Sequence, residues 1–154
     1  MCGIIAVIRR PGARVAPPPD DVTEPLHAAV AALAGGLPLA DACATAARQV
    51  EQADSVLRET EGVWALIHDR RLLAEVEGVC ATLATTVAAI EARLDAGTDG
   101  AADDTAGPVA VVRDPAGLEA VNAAVIRLQD AVWAVEKDRV RPARPVADLA
   151  GSEP

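Results

Sequence analysis

The sequence predicts a mainly α-helical fold, an antiparallel helical bundle that carries a short β-strand at its N-terminus. Three observations predict it. Apolar residues recur at three- and four-residue steps along three long stretches, the period of one helix face. Hydrophobic residues make up 51% of the chain but aromatic ones only 1%, and a core of Ala, Val and Leu suits closely packed helices better than a large sandwich. The run Ile4-Ile5-Ala6-Val7-Ile8 is β-branched apart from Ala6 and lacks polar alternation, which predicts a strand buried on both faces within residues 1–10.

Residues 11–22 form a Pro-rich spacer, with a turn at Pro11-Gly12 and an extended Pro17-Pro18-Pro19. A helical region covers 23–96. Its first helix has Thr23 as N-cap, with Glu24 and Pro25 in the first turn, and it stops at Gly35-Gly36. A second helix starts near Pro38 and continues to about Glu61, carrying Leu39, Cys43, Ala46, Val50, Ala53 and Leu57 on one face. Gly62 is expected to end it, and Val63 to Ile67 to add one further turn. The third helix is the most periodic: Leu72, Val76, Val79, Leu83, Val87, Ile90 and Leu94 share a face, with Cys80 beside it.

Residues 97–112 are expected to form a flexible acidic loop followed by a short apolar run. A long helix occupies 113–141. Asp114 and Pro115 start it, and Leu118, Val121, Val125, Leu128, Val132 and Val135 form its apolar seam, with Trp133 at the bundle's edge. Arg139, Arg141 and Arg144 mark a basic exit broken by proline, and 142–154 is expected to be a tail.

At 154 residues the chain suits one domain. A net charge of −9 argues against binding to nucleic acid or to an anionic membrane. No segment was expected to reach the length of a transmembrane span free of charge, and no signal peptide is visible. His27 and His68 stand alone, and Asp99, Asp103 and Asp104 lack the ligand order of a calcium loop, so neither a metal nor another cofactor is expected. Three widely spaced cysteines, Cys2, Cys43 and Cys80, fit a reducing cytoplasm and form no disulfide framework.

Chemistry concentrates at the start. Cys2 stands directly behind the initiator methionine, whose removal would leave one residue with both a thiol and a free α-amine. The amine has a pKa near neutrality and can take the thiol proton. Gly3 lets a substrate approach the sulfur, which makes it a weak candidate for substrate binding. Cys43 and Cys80, on or beside apolar helix faces, are expected to pack.

Met1-Cys2-Gly3-Ile4-Ile5-Ala6-Val7 resembles the opening of the N-terminal-nucleophile, or class II, glutamine amidotransferases, in particular the glutamine–fructose-6-phosphate aminotransferase type. The resemblance implies that Cys2 attacks the side-chain amide of glutamine, forms a thioester and releases ammonia to a sugar phosphate. It also implies a β-sandwich completed elsewhere, by remaining glutaminase and sugar-phosphate-binding segments or by a partner chain. The family's other glutaminase motifs do not occur here, so this chain is expected to be inactive alone. The alternative is a non-catalytic helical bundle that serves as an interaction module.

Overall fold

The computed structural model describes residues 15–98 and 115–151, and these fold as a helical bundle. Helix α1 spans Asp20–Ala34, α2 Leu39–Leu57, α3 Thr60–His68 and α4 Arg70–Thr98. Helix α5, Pro115–Trp133, runs directly into a π-helical segment, Ala134–Val140, and then into α6, Arg141–Ala150. No strand occurs among the described residues. The strand expected within 1–10 lies outside them, as does most of the loop and apolar run expected at 97–112.

Helix α1 begins at Asp20, with Pro19 and not Thr23 in the N-cap position, four residues before the expected start. Pro19 already has helical dihedrals, φ −52° and ψ −36°, and its carbonyl accepts from the N–H groups of Val22 and Thr23. Thr23 is therefore inside the helix and buried, not its cap. Asp20 and Asp21 supply negative charge at the positive end of the helix dipole instead. After Gly35 and Gly36 the chain turns back into α2, which packs between α1 and α5. Small residues make this possible: Ala42, Ala46, Ala47 and Ala53 are all buried on α2 beside Cys43, Val50 and Leu57.

The expected second helix is broken in two. Helix α2 ends at Leu57, and α3 starts at Thr60 and carries Gly62 within it. The glycine is required by proximity. A Cβ there would lie 2.2 Å from the Val56 carbonyl oxygen and 2.7 Å from Leu57 Cα, backbone atoms that cannot move aside. Asp69 then starts α4: its Oδ1 accepts from the N–H groups of Arg71, at 2.9 Å, and Leu72, at 3.0 Å.

Helix α4 buries Leu72, Val76, Val79, Leu83, Val87 and Ile90, as its period predicts, and packs on α1, α5 and the π-helical segment. Arg70–Ala96 is long and apolar enough to cross a membrane by length and composition alone, but it is not free of charge: its uncharged run extends only over 78–90. The other long helix buries Val121, Val125, Leu128, Val132 and Val135, while Leu118 is only half-buried. Trp133 does not seal an edge; it is 55% exposed.

Residues 142–150 are helical where a tail was expected. The π turn is the physical reason. Val135 and Val140 are both buried although five residues apart, a step that an α-helix would place on different faces. Arg141 N–H donates to the Glu136 carbonyl, five residues back. Pro142 then falls in the first turn of α6, where its missing N–H costs no bond. At the far end the Arg70 guanidinium donates to the Ala147 carbonyl oxygen at 3.0 Å and ties down the helix terminus.

Two substitutions test this packing. Leu83 and Leu128 are fully buried, and truncating either to alanine is expected to cost on the order of 2–5 kcal/mol in urea unfolding. Gly62→Ala is expected to lose about 1–3 kcal/mol despite its favourable helix propensity, because the backbone of α2 blocks the added methyl group. A neutral or stabilising Gly62→Ala would show that the α2–α3 corner is looser than described.

Candidate functional site

Cys2 and Gly3, the residues to which the sequence assigns chemistry, lie outside the described residues. The other two thiols are inside the bundle. Cys43 and Cys80 are free and buried. Burial pushes the Cys80 thiol up to about 12, with a further upward push from the negative charge of Glu136. Burial alone raises that of Cys43. Neither can supply appreciable thiolate at neutral pH.

The histidines are not brought together. His27 Nε2 lies 2.9 Å from Glu75 Oε1 on the surface between α1 and α4. His68 stacks at a tilt on Trp64, with ring centroids 4.0 Å apart. This pair lines a cavity of about 470 Å³ together with Pro17, Pro18 and Pro19, so the proline spacer meets the bundle against an indole that is itself 57% exposed. No group of histidine, cysteine and carboxylate side chains able to hold a metal occurs among the described residues.

A charged concavity lies between α2 and α5, a cavity of about 580 Å³ lined by Glu51, Asp54, Arg58, Ile126, Arg127 and Asp130 among others. Arg127 grips Glu51 with two hydrogen bonds, Nε to Oε1 at 2.7 Å and a terminal nitrogen to Oε2 at 2.6 Å. Those bonds hold the Glu51 carboxyl below the usual glutamate range, against a smaller upward push from burial. Asp54 is buried, 5% exposed, and binds two guanidinium groups. Arg139 Nε donates to its Oδ1 at 2.9 Å, and Arg58, one turn on, donates to its Oδ2.

Glu51 and Asp54 are each engaged on both oxygens by guanidinium groups, from Arg127 and from Arg58 and Arg139. Neither is available as a base, and the pair of contacts clamps the elements together. Among the described residues no buried side-chain polar atom lacks a hydrogen-bond partner. The Asp54–Arg139 pair joins residues 85 apart in sequence and was not anticipated. Its signal was present nonetheless: Asp54 stands four residues after Val50 and three before Leu57, on the buried line itself.

No protein-family model matches the chain, and neither does a curated protein or a solved structure.

Asp54→Ala is expected to cost on the order of 3 kcal/mol or more, because it removes the partner of Arg139, whose side chain is 22% exposed. Glu51→Gln is expected to cost under about 1 kcal/mol, since both partners are nearly half exposed. Glu51 has a lowered folded-state pKa, so its contribution is present above the usual glutamate range and is lost as pH falls through the lower value. Equal losses for the two variants in urea unfolding would deny Asp54 its special place.

Proposed function

We propose that the chain is the N-terminal part of a glutamine amidotransferase, in which the bundle is a helical insertion behind the nucleophile. The observation that carries this is the position of Cys2, directly after the initiator methionine and before Gly3 and an apolar β-branched run. The burial of Cys43 and Cys80 supports it, since it leaves Cys2 as the thiol to which nucleophilic chemistry can be assigned. With Met1 removed, the α-amine takes the thiol proton and the thiolate attacks the amide carbon of glutamine. The C–N bond breaks, ammonia leaves with the proton, and water then releases glutamate from the thioester. Ammonia passes to a sugar phosphate of the fructose-6-phosphate type, bound by segments or a partner chain beyond this one. Glutamine-gripping and oxyanion groups are expected from the same source. The reaction is assigned to the cytoplasm, where a free thiol persists.

The second reading is a non-catalytic interaction module. It is favoured by the bundle's self-sufficient core, whose buried cluster draws on residues from Val22 to Ala147.

A glutamine-analogue diazo-ketone, followed by mass mapping, tests the first reading on the chain assembled with the rest of the glutaminase. Selective labelling of Cys2 is expected, lost in Cys2→Ser and when Met1 is retained. Labelling of Cys43 or Cys80 at an equal rate, or none at Cys2, would overturn it.

A further inference from the structure

We propose that the cavity between the proline spacer and α3 is the docking site of the chain's own N-terminal apolar run, Ile4 to Ile8, in the chain by itself. The inference concerns where that run rests and does not depend on the chemistry assigned to Cys2.

Apolar surface lies open on both sides of this cavity. Val15 to Pro19 form one wall, and Trp64 and His68, with the buried Leu72, form the other. Val15 is 85% exposed and Trp64 57%, so each wall presents a large apolar group to water. An indole left this open at the edge of a cavity is a surface for apolar contact.

The position of the chain's end selects the occupant. Val15, the first described residue, is itself part of the cavity wall, so residues 1–14 leave from its rim. Pro11-Gly12 fits the two central positions of a type II turn, proline first and glycine second. A chain reversed there sets residue 10 opposite 13. The same register brings Ile8 opposite Val15, Ala6 opposite Pro17 and Ile4 opposite Pro19. The apolar run is thereby laid along the very residues that wall the cavity, beside the indole. Pro17, Pro18 and Pro19 have no N–H to give, so side-chain contact and not a hydrogen-bonded ladder holds the run.

Charge selects the same occupant. Residues 1–14 carry Arg9, Arg10 and Arg14 and no acidic residue, whereas the chain as a whole stands at −9. A cationic segment is drawn to an anionic bundle. The register also sets the α-amine, on Met1 or on Cys2 after its removal, beside Asp20 and Asp21. Both carboxylates are exposed and form no ion pair among the described residues. Asp69 adds a third carboxylate at the cavity, while the guanidinium of Arg70 is turned to the end of α6, where it bonds the Ala147 carbonyl. A second copy offers the same run, but the tethered one holds the advantage of effective concentration.

Acrylamide quenching of Trp64 tests this in the full chain carrying Trp133→Gln, an exchange at an exposed position that leaves one indole to report. Trp64 is expected to be shielded. Ile5→Asp, which would have to bury a carboxylate on docking, is expected to raise the quenching constant about twofold or more, with the far-ultraviolet circular dichroism unchanged. Asp20→Asn combined with Asp21→Asn, on the other side of the contact, should raise it too, and this variant decides the matter where Ile5→Asp misfolds. A constant that neither variant moves would overturn the proposal. Shielding that fades on dilution of the protein would assign the cavity to a second copy's run and overturn it as well.

Discussion

The bundle depends on close helix approach. The chain contains no Phe or Tyr, and both tryptophans are more than half exposed, so no large ring fills space between helices. Interior packing nonetheless has to approach crystal-like density. With small side chains, that density is reached only when backbones come near one another. Helix α2 shows how: four buried alanines let it sit against α1 on one side and α5 on the other. The corner at Gly62 is the extreme case, where α3 lies so near the end of α2 that even a methyl group has no room. A core of this kind tolerates added volume poorly, because there is no flexible aromatic to rotate out of the way.

Close approach also explains the charged clamp. A helix pair held by alanine has shallow side-chain interdigitation to fix its axial position, and directional contacts can add what shape does not. Asp54 does this for α2. Its two oxygens meet Arg58 of its own turn and Arg139 of the π-helical segment, so a slide along the axis would strip a buried carboxylate of its partners. The π turn is part of the same arrangement. By inserting one residue, it keeps Val140, Ala143 and Ala147 buried beyond Val135, and it brings Arg139 to Asp54. Such wide turns are often found where geometry serves a purpose beyond the ladder itself. Here the purpose is to redirect the apolar face.

Periodic stretches were legible in the sequence because burial imposes a period, and α4 and α5 carry theirs without interruption. What was not legible has a common physical origin in local rules being outweighed by tertiary contact. Thr23 has the chemistry of an N-cap, yet Pro19 was able to begin the helix a turn earlier and Thr23 became a buried residue. Gly62 resembles a helix end, but it marks a close approach. Pro142 and Pro145 suggest a broken exit, but the preceding π turn places Pro142 where no donor is needed. The clamp was half visible, as an aspartate on an apolar line. Its partner 85 residues away could come only from the fold. For the chemistry assigned to the N-terminus, Cys43 and Cys80 were legible as packing residues from their place on apolar faces, and burial raises both thiols out of the reactive range.

A nucleophile segment and a closed helical bundle need different physical conditions. The chemistry proposed for Cys2 needs an accessible thiol and a free α-amine, and the buried cluster of the bundle offers neither, since its own thiols, Cys43 and Cys80, are enclosed. An inserted bundle, in turn, has to close its own core, or its burial would compete with that of its host. Here the buried cluster reaches from α1 through α6, and no buried polar side-chain atom among the described residues is left for another segment to satisfy.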